Sequence, residues 1–213
     1  MLTGSWGLLW CIKGKTSAFA KTMEGERQLF PNEKALSKAA AEGDADRVRR
    51  LLTVCDPNER NHQGVTALRL ASDNGHLEVV KMLLEKGADP NLAGEVPLFR
   101  AAYWGYVDIV KVLLEKGANP NQTPSGTGFT PVFIAAQEGH LDVVKALLAV
   151  GADPNLAEKV PPLVAAAQEG HTEIVKALLA HGVDPNQASC DTGSTAVYVA
   201  AQNGHLDVVK ASP

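Results

Sequence analysis

The chain repeats itself. A glycine closing an AAxxG-type segment returns at Gly43, Gly75, Gly105, Gly139, Gly170 and Gly204, at intervals of 32, 30, 34, 31 and 34 residues. The stretch after it returns too, as HLEVVKMLLEKGADPN from 76, YVDIVKVLLEKGANPN from 106, HLDVVKALLAVGADPN from 140 and HTEIVKALLAHGVDPN from 171. Such a period leaves few folds open, because one unit is too small to bury its own apolar surface and must stack on its neighbours. Inside a copy, VTALRLASDNG and FTPVFIAAQEG predict a short helix entered through Thr, with Pro131 in the permissive first turn and a Gly stop. A second helix follows, in which Val79, Val80, Leu83 and Leu84 recur at i, i+1, i+4 and i+5 and define one broad buried face. The GADPN or GANPN ending supplies a left-handed Gly cap and then a Pro that forbids further helix. The fold class expected is all-α, a solenoid of stacked helix pairs.

These copies resemble the ankyrin repeat, whose TPLHxA signature, period of about 33 residues and helix pair with a β-turn fit residues 33–213. The resemblance departs from the family at one place: the His of TPLH is Arg69, Phe99, Phe133, Val164 and Tyr198. That weakens the turn-bracing hydrogen bond implied for this position and leaves the fold assignment standing. Residues 31–60 carry a helix pair with a Lys/Arg-rich second helix and read as an N-terminal capping repeat. Repeats then start near 61, 92, 125, 157 and 190, filling 61–213, and the last is cut short because Ser212 and Pro213 take the places of two leucines. An uncapped apolar end is expected either to pair with another chain or to mark a piece of a longer protein; the second is favoured. A further period of 65 residues relates Leu98 to Leu163, Gly105 to Gly170 and Gly139 to Gly204. Short fingers (NLAGEVP, NLAEKVPP) should therefore alternate with long ones (NQTPSGTGFTP, NQASCDTGSTA).

Composition narrows the partners. With 45% apolar residues a folded core is expected. Residues 61–213 carry 10 Lys and Arg against 16 Asp and Glu, whereas residues 1–60 carry 10 against 8. A groove built on the acidic part would repel phosphate backbones, which argues against nucleic acid. The odd, scattered Cys11, Cys55 and Cys190 lack CxxC spacing, so a reducing intracellular compartment, cytoplasmic or nuclear, is expected, with no zinc site. Residues 1–30 read as a disordered leader, with Met23 as an alternative start. LLWCI at 8–12 is far shorter than the roughly 20 apolar residues of a membrane span, and its basic residues lie on the wrong side for a signal peptide.

Several short motifs suggest chemistry that the surrounding residues do not support. DTGS at 191–194 has no second DTG or DSG to share a proton with, and Asp191 aligns with Gly126 of another finger. GKT at 14–16 has Leu9 where a phosphate-binding loop needs its first Gly, and GTG at 126–128 lacks the third Gly of a dinucleotide site. His76, His140, His171 and His205 share one repeat position, but sites a repeat apart are too distant for one ion, so a structural role at the start of each second helix is expected. His181 and Cys190 have no third partner at motif spacing. No catalytic residue, cofactor, metal or small-molecule substrate is expected, and the chain reads as a non-enzyme.

The ankyrin resemblance implies a concave groove in which contacts concentrate in the fingers and near the end of each first helix. On this sequence those positions are His62, Gln63, Val65, Asp73 and Asn74; Ala93, Glu95, Tyr103 and Trp104; Thr127, Phe129, Gln137 and Glu138; Glu158, Val160, Gln168 and Glu169; and Asp191, Thr192, Ser194, Gln202 and Asn203. The later copies offer an acidic surface. The second full copy instead offers Tyr103 and Trp104, with Arg100 three and four residues upstream on the same helix face. Two readings of that cluster stay open: a hot spot exposed behind a short finger, or packing against a neighbouring repeat. Tyr106, in the recurrent His position, is assigned to packing. The partner-binding set expected is Arg100, Tyr103, Trp104, Phe129, Gln137, Glu138, Gln168, Glu169, Gln202 and Asn203. The partner is expected to be a protein or peptide with basic and apolar residues. A recognition arm of a multidomain protein and a self-associating array are the alternatives, and a monomer is expected unless the uncapped end self-pairs.

Overall fold

The computed structural model describes residues 35–92, 94–156, 160–190 and 192–212; the expected leader and the finger positions Ala93, Glu158 and Asp191 lie outside them. The described chain is a run of helix pairs. First helices are α1 (Ala35–Glu42), α3 (Ala67–Asp73), α5 (Pro97–Trp104), α7 (Pro131–Glu138), α9 (Pro162–Glu169) and α11 (Ala196–Asn203). Each is followed after a short turn by a second helix: α2 (Ala45–Leu51), α4 (Leu77–Glu85), α6 (Val107–Glu115), α8 (Leu141–Ala149), α10 (Thr172–Ala180) and α12 (Leu206–Ala211).

Local chemistry starts and stops these helices. Thr66, Thr130 and Thr195 accept the backbone N–H three residues on through their hydroxyls, while α5 and α9 enter through Pro97 and Pro162 without a side-chain cap. Gly105, Gly139, Gly170 and Gly204 close their helices in the left-handed region.

First helices pack on first helices and second on second, and the first helices approach one another more closely. Their contact surfaces explain it: Ala39, Ala40, Ala71, Ala101, Ala102, Ala135, Ala136, Ala166 and Ala167 are buried there, and a methyl group keeps two helices least apart. Second helices meet through larger residues, with Leu83, Leu113, Leu147 and Leu178 at one repeat position and Val80, Val110, Val144 and Val175 at another, all fully buried. Each such side chain contributes about 1.5–3 kcal/mol. Small residues thus line the contacts on one side of the stack and large ones those on the other, and the side that carries the first helices and the fingers is its inner face.

Two side-chain ladders tie repeat to repeat. The histidine before each second helix lies over the closing glycine of the previous repeat, and its Nε2 donates to a carbonyl there: His76 to Ala41, His140 to Tyr103, His171 to Gln137 and His205 to Gln168, at 2.9–3.0 Å. Tyr106 takes this place over Gly75. In the loops, Asn58 donates to Gly87 O and accepts from Asp89 N, Asn91 donates to Gly117 O and accepts from Asn119 N, and Asn121 accepts from Asp153 N. The Asn of GADPN is thus a clip to the next loop, which the sequence pattern alone does not reveal.

Candidate partner-binding face

Three residues per first helix decide what the inner face presents. In chain order they are Leu70, Asp73 and Asn74; Arg100, Tyr103 and Trp104; Ile134, Gln137 and Glu138; Ala165, Gln168 and Glu169; and Val199, Gln202 and Asn203. In the first four sets the last residue is the most open, since it sits where the helix meets its Gly, whereas in the fifth Gln202 is more open than Asn203.

The aromatic copy is packed. Arg100 is 7% exposed and Tyr103 8%, so both leave the candidate surface. The Arg100 guanidinium reaches back to Asp73 of the preceding repeat, Nη2 donating to Oδ2 at 2.7 Å and Nε to Oδ1 at 3.0 Å. Trp104 is half-buried, its indole N–H donates to Asp73 Oδ1 at 2.7 Å, and its ring meets the Tyr103 ring edge-on at 4.7 Å. The short finger does not uncover Trp104, because its indole is turned onto the previous repeat. What that finger delivers is Glu95, 2% exposed, lying 3.5 Å from Arg60, 3.9 Å from Arg69 and 3.4 Å from the Thr66 hydroxyl. Burial pushes the Glu95 carboxyl above the ordinary glutamate value, against the lowering pull of Arg69, Thr66 and Arg60. Asp73 and Glu95, expected on the groove, are therefore the inner members of an ionic junction between α3 and α5. The sequence held a signal for it: an acid at one position of a copy and a base three positions earlier in the next copy.

Further along, the face is open and acidic. Glu138 and Glu169 are exposed, whereas Gln137 and Gln168 are each 7% exposed and serve the junctions. The Gln168 amide donates to Glu169 Oε1 at 3.0 Å, and Asn203, half-buried, donates to Gln168 O at 3.0 Å. Burial and then the charge of Glu169 push the Glu138 carboxyl up from its ordinary value, so these two carboxylates feel one another across the α7–α9 junction. No basic side chain among the described residues lies within ion-pair distance of either. Phe129 is half-buried and stacks on Phe133 at 4.4 Å. In the fingers His62 and Gln63 are exposed and Thr127, Thr192 and Ser194 half-buried, while Val65 and Val160 are buried; Gln202 is exposed.

Among the described residues no group of three or more His, Cys, Asp or Glu is placed to hold a metal ion, and no helix is long and apolar enough to cross a membrane.

A family model described as "Ankyrin repeats (3 copies)" matches residues 36–124, 92–158 and 132–211. The chain belongs to the ankyrin-repeat family. Ankyrin repeats are in general protein–protein interaction modules, and the family is in general non-catalytic. Among similar proteins, human Ankyrin repeat domain-containing protein 39 is 35% identical over 82 residues, which are 37% of this chain and 45% of that protein. Human NAD-capped RNA hydrolase NUDT12 is 39% identical over 71 residues, 31% of this chain and 15% of that protein. Human Apoptosis-stimulating of p53 protein 2 is 37% identical over 86 residues, 38% of this chain and 8% of that protein. This ankyrin chain thus spans less than half the length of these relatives.

Proposed function

We propose that this ankyrin stack is a non-catalytic recognition module that binds a partner protein or peptide on the inner face, through the ends of its first helices and its fingers. The observation that carries this reading is the exposed pair Glu138 and Glu169, like charges from adjacent repeats with no described counter-charge. Such an arrangement detracts slightly from the stability of the free protein and is relieved by a cationic partner. Trp104, Phe129, Gln202 and Asn203 extend the contact to either side, and Arg100, Tyr103 and Gln168 act from beneath by holding the helices in place. Since the matched segment is 45%, 15% and 8% of the relatives, a role as the recognition arm of a larger assembly fits this reading. Free Cys55 and Cys190 fit a reducing compartment, cytosol or nucleus.

The test is charge reversal. Glu138→Lys with Glu169→Lys should abolish partner capture, compared with the natural chain by quantitative mass spectrometry, and leave the helical melting curve unchanged. Capture of the same partners by both proteins would overturn the assignment.

A further inference from the structure

Two of the junctions between first helices are closed by side-chain donors from the next repeat, and the α7–α9 junction is not. At α3–α5 the acceptor Asp73 receives donors from two positions of the next repeat, the Arg100 guanidinium and the Trp104 indole. At α9–α11 the Gln168 carbonyl receives the Asn203 amide, again from the last residue of the next first helix. At these two junctions the side chain at that last position reaches back over the preceding repeat; Asn74 instead donates to Leu70 O of its own helix, and at α5–α7 Ile134 and Glu138 bring no donor. At α7–α9 the residues in the same places are Gln137 as the acceptor beneath, Ala165 where Arg100 stands and Glu169 where Trp104 and Asn203 stand. Ala165 brings no donor and Glu169 brings a further acceptor. Gln137 Oε1 is buried and has no hydrogen-bond partner, and Glu138 on the adjoining position adds a second carboxylate coupled to Glu169.

From this we infer that the α7–α9 edge is the anchor for one arginine side chain of the partner, held by Glu138, Glu169 and Gln137. The inference rests on the inner-face reading and specifies its chemistry. A guanidinium carries five N–H donors in a planar fork and bridges two carboxylates and an amide oxygen together; an ammonium, as a point charge, satisfies them less completely. It would occupy in trans the role that Arg100 fills in cis two first helices earlier, where the guanidinium already serves a carboxylate. The buried orphan oxygen makes the site more than a patch of acidic residues, because an unmet acceptor costs stability until a donor arrives.

Short random peptides displayed on phage are selected on the full isotope-labelled chain, and the selected sequences are remade with arginine replaced by lysine or citrulline. The expected result is a fixed arginine whose replacement by neutral citrulline weakens binding by about tenfold or more, with lysine between. Binding should shift the Gln137 side-chain amide resonances. Glu138→Gln with Glu169→Gln, both at exposed sites, should abolish the arginine preference, whereas Glu78→Gln on the outer helix α4 should not. Equal binding by the lysine peptides, or arginine peptides indifferent to the double variant, would overturn the anchor. Peptides that shift first-helix resonances without selecting arginine overturn the anchor and leave the face reading standing. Peptides that shift no residue of that face overturn both.

Discussion

Asp73 shows how one residue changes an assignment. By position it belongs to the row that ankyrin proteins turn to their partners, yet it is 3% exposed and receives Arg100 and Trp104. Buried ion pairs contribute little net stability, but breaking one leaves a charge that water cannot reach. Asp73→Ala should therefore cost about 3–5 kcal/mol by stranding Arg100, and Asp73→Leu combined with Arg100→Met should recover most of that loss. Urea denaturation of the two variants checks this, and a double variant as unstable as the single would show that packing, not charge, dominates the site. Tyr103 and Trp104 were legible as unusual; their direction was not, because a helix-face pattern does not say whether the facing surface is solvent or an aspartate one repeat back.

At the scale of the element, two glycines with the same backbone conformation serve different ends. Gly87 has φ +89° and a Cβ there would meet nothing within 4 Å, whereas Gly105 has φ +74° and a Cβ would lie 2.6 Å from Nδ1 of the His140 ring. Both substitutions to Ala incur the left-handed penalty of about 1–2 kcal/mol. Gly105→Ala must also displace the His140 ring and its bond to Tyr103 O, which adds about 1 kcal/mol or more. Thermal melts of Gly87→Ala and Gly105→Ala should thus differ, and equal losses would mean that the ring yields freely. The histidine row, expected from its position to be structural, is a set of fasteners between elements, each helix pair completed by the next. The helices themselves were readable from Thr, Pro, Gly and apolar spacing, because those signals act within a few residues.

Across the whole molecule the stack is quasi-linear, so a change at one junction is felt as altered coupling between the units on either side. The α3–α5 junction holds Glu95 with its carboxyl raised above the ordinary 4.5, mainly by burial. Because the folded chain then holds that proton more tightly than the unfolded chain, Glu95 detracts from stability above its folded titration point. The penalty is relieved as pH falls through that point toward 4.5. Replacing Glu95 by Gln should flatten the pH dependence of the melting temperature in that window and leave it unchanged below; an unaltered profile would assign the titration elsewhere. The period, the helix pairs, the all-α class and the acidic bias of the later repeats were determined by sequence alone, since each follows from spacing and composition along the chain. Which polar residues face water was decided only by stacking. Arg100 and Asp73 lie 27 residues apart and meet at 2.7 Å, while Glu138 and Glu169, in adjacent repeats, stay open with Gln137 beneath them. Whether a charge finds a partner depends on what the next repeat brings over it, and that is a property of the assembled junction, not of either copy.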